Sequence, residues 1–208
     1  MDRRKALKDM GMALGYVVTI PTLLTIAQSC KSKKVLEWTP EFFSKEQGAI
    51  LTTLVDLILP KTDTPSASEV QVHIFIDRFA KEVFTKEQQH FTALCFDKFT
   101  TKALKQSGKQ NSSALSIEDL ESILALEFGF PIAEQKIKND TLKKYAGENI
   151  SDDLASYAFA KNLREMTIWG YKTSEYIGEN VLSYLPIPGE YIPCEDVDTL
   201  TQGKSWSL

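Results

Sequence analysis

The chain has 208 residues, 43% of them hydrophobic and 25% charged, which leaves room for one globular domain and excludes a disordered or low-complexity polypeptide. Its formal net charge of -4 at pH 7 argues against nucleic acid as a partner, since a phosphate backbone is met by clustered Lys and Arg. Three cysteines are too few for a disulfide scaffold.

At the N-terminus, Arg3, Arg4, Lys5 and Lys8 precede an uncharged run of 18 residues from Met10 to Ala27, which leads to Ser29-Cys30. A basic patch, an apolar run and a small-residue end follow one another in this order in an export signal. The run contains Gly11, Gly15, Pro21 and four Thr or Tyr residues, and a permanent membrane span is usually more apolar. Arg3-Arg4 followed by Lys5-Ala6-Leu7-Lys8 resembles the twin-arginine export motif, with Ala6 where a bulky apolar residue is usual. Cys30 resembles the lipid-attachment cysteine of bacterial lipoproteins, whose thiol takes a diacylglycerol and becomes the new N-terminus. Simple cleavage after Ala27 or Ser29 and an uncleaved anchor stay open as alternatives. Several acyl chains, at about 0.8 kcal/mol per buried methylene, hold a protein stably on a membrane. Residues 1–29 are therefore assigned to export, 30–37 to a tether and 38–208 to the folded domain. Export removes a surplus of two positive charges and takes the mature chain to about -6.

The remaining chain reads as helical throughout. Trp38-Thr39-Pro40-Glu41 offers a helix start with Thr39 as cap and Pro40 in the first turn, and Ile50, Leu51, Leu54, Val55 and Ile58 recur at helical spacing until Pro60. After the turn-rich loop Lys61-Thr62-Asp63-Thr64-Pro65-Ser66, helical spacing resumes over residues 69–84 with Val72, Phe75, Ile76, Phe79 and Val83. Thr85 and Gln88 have the spacing of a capping box and predict a third helix of roughly twenty residues. Ser116-Ile117-Glu118-Asp119 starts a shorter helix that ends near Gly129, and Pro131 restarts the chain toward Tyr145. Residues 152–170 form the last long helix, with Ala155, Phe159, Leu163 and Met166 as its stripe, and the tail from Pro186 is irregular. No run alternates with period two. The expectation is an all-α, single-domain bundle of about six helices with an irregular C-terminal tail.

Marks of catalysis are missing from the sequence. It contains no glycine-rich nucleotide fingerprint, no Cys-x-x-Cys-His and no His-Glu-x-x-His. His73 and His90 lie 17 residues apart on different predicted helices and read as surface or partly buried polar residues, because a metal needs three or four converging ligands. Acidic pairs such as Glu118-Asp119 and Asp152-Asp153 sit at helix starts, where carboxylates complement the dipole. Cys95, within an apolar run, reads as a buried small hydrophobe. Its separation of 99 residues from Cys194 permits a disulfide without predicting one.

The segment 164–178 and the Pro/Gly-rich stretch 184–191 stand out. Trp169, Tyr171, Tyr176, Tyr184 and Tyr191 gather around a predicted helix end, a composition favoured at protein interfaces. The alternative is that they pack the open end of the bundle. This pattern, taken with Phe42-Phe43, Ile58-Leu59-Pro60-Lys61-Thr62-Asp63-Thr64-Pro65-Ser66-Ala67 and Val72-His73-Ile74-Phe75-Ile76-Asp77, resembles the gluconate 2-dehydrogenase subunit 3 family from about Trp38 to Tyr191. The resemblance implies a small subunit, without catalytic residues or a cofactor of its own, of a membrane-associated dehydrogenase. Its partner would be an FAD-dependent large subunit of the glucose-methanol-choline type, passing electrons to a cytochrome c subunit or another acceptor. It further implies an escort role in which Arg3 and Arg4 address the complex for export and Cys30 anchors it in the bacterial cell envelope. Arg164, Thr167, Trp169, Tyr171, Ser174, Tyr176, Tyr184, Pro188 and Tyr191 are then the expected partner interface. The competing expectation is a stand-alone envelope lipoprotein that binds another protein or a carbohydrate.

Overall fold

The computed structural model describes residues 38–145, 150–185, 189 and 194–207. Arg3, Arg4 and Cys30, with the rest of the export segment and tether, lie outside the described residues, as do Pro188 and Tyr191. Six helices of 11 to 22 residues carry the fold: α1 (Lys45–Ile58), α2 (Val72–Glu82), α3 (Lys86–Ser107), α4 (Ile117–Phe128), α5 (Ile132–Lys143) and α6 (Asp152–Lys172). A 3-10 turn (Ser112–Ala114), a π turn (Ile177–Val181) and the short α7 (Val197–Thr201) complete them. Among the described residues there is no strand, only an isolated parallel bridge from Ser183 to Trp206 that brings the end of the tail back to the body. No helix among them is long and apolar enough to cross a membrane.

Helix α6 is the centre of the bundle, packed against each of the other five large helices and most extensively against α3. Every residue from 155 to 160 is buried, so this helix has no solvent face over that stretch, whereas the sequence stripe assigned it one apolar side. Alanines at 155, 158 and 160 let neighbouring backbones approach, and Phe159 stacks on Phe96 of α3 at 4.4 Å with an interplanar angle of 15°. Phe96, Phe99, Leu51, Leu54 and Ile123 fill the surrounding core. Cys95 is buried there as a free thiol, pushed up to about 12 by desolvation, and Cys194 is exposed and also free.

Local signals set most helix ends. Thr85 and Gln88 form the expected capping box, Ser116 and Asp119 form another, and α3 stops at Gly108, whose φ of 69° suits a residue without a side chain. The first two helices begin later than the sequence predicts. In α1 the cap is Ser44, in a capping box with Gln47, and not Thr39. The amides ahead of it are taken elsewhere: the carboxylate of Asp77, fully buried on α2, accepts from the backbone N–H of Glu41 at 2.7 Å, Phe42 at 3.1 Å and Phe43 at 2.9 Å. A carboxylate so placed holds residues 41–43 as a bent lead-in instead of a helical turn. The predicted start of α2 at Glu69 is displaced because Gln71 adopts the left-handed conformation, with φ of 62°, and Asp56 fixes the preceding turn by accepting from the Ser68 amide and hydroxyl at 2.8 and 2.6 Å. Val83, placed on the apolar stripe by the sequence, is 59% exposed just past the end of α2.

Two further polar groups sit deep in the body. Glu127 is fully buried and accepts from the Lys102 ammonium at 2.8 Å and from the Ser156 hydroxyl at 2.6 Å. Lys102 also reaches the exposed Asp153 at 2.9 Å. Desolvation works against the Lys102 charge, but the hydrogen bonds it donates to Glu127 and Asp153 outweigh it and raise its pKa. His73 is only 7% exposed, deeper than the sequence suggested, with its ring against the Trp38 indole at a centroid distance of 5.2 Å, while His90 is exposed. Burial lowers the pKa of His73 and outweighs the opposing effect of Asp56.

These arrangements make three predictions. Asp77→Ala orphans three backbone donors, at a cost of about 3 kcal/mol in urea unfolding, and faster proteolysis should start in residues 39–44; a loss within experimental error would show that water replaces the carboxylate. Lys102→Met leaves Glu127 buried without its cation and costs about 3 kcal/mol, whereas Lys102→Met with Glu127→Leu returns to within about 1 kcal/mol of the parent. The double-mutant cycle reads that coupling directly, and additive losses would refute it. His73 is held neutral in the folded state, so its contribution is intact above its unfolded value and drains away as pH falls through the depressed folded one. Unfolding curves taken from pH 7.5 to 5 should therefore show an acid-side loss that is smaller in His73→Gln, and equal slopes in the two proteins would count against it.

Candidate functional site

Helix α6 leaves the core at its C-terminal end, and there it meets α2 and the loop 61–71. Gly170 sets the separation. A methyl group at that position would lie 2.6 Å from Cδ1 of Phe75 and 3.3 Å from Cγ1 of Val72, so only glycine admits the two helices at this distance. Beside it, Trp169 packs edge-on against Phe75 and Phe79, at centroid distances of 5.1 and 5.2 Å, while keeping 41% of its surface exposed. These edge-to-face contacts hold the aromatic side chains in fixed orientations.

Tyr171 ties the third wall to the other two. Its hydroxyl donates to the Pro65 carbonyl at 2.7 Å and lies 2.9 Å from the Thr64 hydroxyl. The loop is braced internally, with the Glu69 carboxylate accepting from the Ser66 amide at 2.9 Å and from the Lys61 ammonium at 2.6 Å. That pairing lowers the pKa of Glu69 and raises that of Lys61. After α6, the Ser174 hydroxyl donates to the Tyr171 carbonyl at 2.7 Å, and the chain turns so that Tyr176, 53% exposed, stands at one end of the opening.

Between these walls lies a groove of about 1060 Å³, with Ile74, Phe75, Phe79 and Gly170 along it and the loop 61–65 opposite. It combines aromatic surface with carboxylates. Among the described residues no three His, Cys, Asp or Glu side chains converge as metal ligands would.

The structure divides the expected interface residues. Ser174 and Tyr176 line the groove, Trp169 flanks its aromatic floor, and Tyr171 holds its loop wall. Thr167 is a correction: it is fully buried inside the bundle and cannot reach a partner. Arg164 lies over the Phe128 ring of α4 at 4.9 Å and so is engaged within the body. Tyr184 is 50% exposed but lies beyond the π turn and outside the groove. Sequence reasoning missed Phe75, Phe79, Arg78 and Glu82 as groove residues. Their signal was the aromatic pair four residues apart on α2, which periodicity assigns to a core.

No curated protein and no solved structure matches the chain at a significant level. The family model of gluconate 2-dehydrogenase subunit 3 matches residues 45–189, a span that opens at the first residue of α1 and takes in all three walls of the groove. With a match over more than two-thirds of its length, the chain belongs to the gluconate 2-dehydrogenase subunit 3 family.

Proposed function

We propose that this chain is the non-catalytic small subunit of an envelope dehydrogenase, escorting and stabilising an FAD-dependent large subunit of the glucose-methanol-choline type. The observation that carries this reading is the partly exposed aromatic groove at the end of α6, which falls inside the span matched by a family of dehydrogenase subunits. Trp169 and Tyr176 expose large amphipathic surfaces at a site braced by Tyr171, and rigid aromatic side chains of that kind dominate the energetics of protein interfaces.

The residues outside the described body supply the rest. Arg3 and Arg4 would send the complex through a route that accepts folded proteins, so that the flavin is inserted into the large subunit before export. Cys30, as a lipid-bearing N-terminus, would keep the assembly on the membrane, near a cytochrome c subunit or another electron acceptor. An accessory chain that binds only the folded partner also stabilises it by mass action, by about 2.7 kcal/mol at a concentration one hundred times the dissociation constant. A stand-alone lipoprotein that binds some other protein or a carbohydrate through the same aromatic surface is the competing reading.

Co-purification from solubilised membranes of the native host distinguishes the two. The chain should bring down a yellow, FAD-containing dehydrogenase subunit, and that subunit should remain in the cytoplasm when this chain is deleted or when Arg3 and Arg4 are both replaced by lysine. Cys30→Ser should release the exported complex from the membrane fraction. Normal export of the flavoprotein in the deletion strain would end the escort role, and a pull-down free of flavin would end the subunit assignment.

A further inference from the structure

The groove has a charge pattern that specifies its occupant. Four carboxylates border it, Asp63, Glu69, Glu82 and Glu175, against two cations, Lys61 and Arg78. Both cations are already engaged: Lys61 lies 2.6 Å from Glu69, and Arg78 Nε lies 3.2 Å from the Glu41 carboxylate, which is outside the groove. Among the described residues, Asp63, Glu82 and Glu175 have no ion-pair partner. The floor between them is apolar, formed by Phe75, Phe79 and Ile74, and Val83 projects beside it with 59% of its surface exposed. An anionic occupant would meet unpaired carboxylates of like charge, and a purely apolar one would leave those carboxylates to be desolvated without compensation.

We infer that this groove receives an extended segment of the large subunit in which a bulky apolar side chain is flanked by Lys or Arg. The apolar residue lies on Phe75 and Phe79, and the flanking cations pair with the carboxylates that have no ion-pair partner, Glu82, Asp63 and Glu175. The volume of about 1060 Å³ holds several side chains, just above the usual range of about 300–1,000 Å³ for small-molecule sites and in keeping with a peptide. Gly170 is the specificity device: any larger residue there collides with Phe75 and displaces the aromatic floor on which the apolar side chain rests. This assignment rests on the accessory-subunit reading above and adds to it the place and chemistry of the contact.

The test uses the co-expressed, detergent-solubilised complex of the two full chains. Binding of the parent should weaken as salt rises, because the rim pairs are exposed. Glu82→Lys combined with Glu175→Lys should weaken it by about tenfold or more and flatten the salt dependence. Both substitutions sit at exposed positions, so circular dichroism and melting temperature should match the parent. Glu134→Lys, on the exposed side of α5, is the control and should leave affinity unchanged. A photo-crosslinking residue in place of Val83 should capture one peptide of the large subunit, and mass spectrometry should find in it an apolar side chain with Lys or Arg on both sides. Unchanged affinity in the double charge reversal overturns the inference while the accessory-subunit reading stands, as does a crosslink to an acidic peptide or to a second copy of this chain. Failure of the parent itself to bind any flavoprotein overturns both.

Discussion

The structure depends on the complete burial of the middle of α6. A helix with no solvent face over residues 155–160 has to be wrapped by its neighbours, and here α3, α1, α2, α4 and α5 all pack on it. Burial of apolar area at about 25 cal/mol per Å² rewards that arrangement, but a polar side chain within the stretch 155–160 has to find its partner inside the core. Ser156 does so through the Glu127 carboxylate. Toward its C-terminus the helix emerges, and its packing changes from small residues in a closed core to an aromatic contact at an open edge, with Gly170 against Phe75 and Val72 of α2. The groove is a consequence of where a fully wrapped helix runs out of neighbours.

Buried carboxylates perform two different tasks in this body. Asp77 acts through the backbone: three amides converge on it, and the lead-in to α1 is fixed to α2 from more than thirty residues away. Glu127 acts through side chains, joining α3, α4 and α6 by way of Lys102 and Ser156. Neither lies at the groove. Both hold the elements that shape it, since α2 supplies the aromatic floor and α6 packs beside it. A surface that recognises another protein benefits from such a frame, because side chains held in place before association lose less freedom on binding.

The sequence motifs that suggested the family acquire a physical meaning together. Phe42-Phe43 present their amides to the Asp77 that closes Val72-His73-Ile74-Phe75-Ile76-Asp77. Thr64 and Pro65 of the turn-rich loop meet Tyr171 from the C-terminal segment. Four stretches of the chain are thus joined in two hydrogen-bonded pairs, and three of them form walls of the groove.

The sequence alone determined that the fold is all helical, where most helices lie and how several begin, because hydrophobic period and capping act within a few residues. Thr85 with Gln88 and Ser116 with Asp119 were legible for that reason. Ser44 was not, since Thr39-Pro40 offers an equally good local start and only the distant Asp77 decides between them. The residues around the groove followed the same division. Trp169 and Tyr176 were readable from their chemistry, but Thr167 and Arg164 stand nearby in sequence and face elsewhere, because successive helix positions turn by about 100°. Phe75 and Phe79 carry the period of a core stripe, and only the tertiary structure, by ending α6 beside them and folding the loop 61–71 opposite, makes them the floor of a groove. Periodicity records that a side chain avoids water; which surface covers it is set by contacts between segments a hundred residues apart.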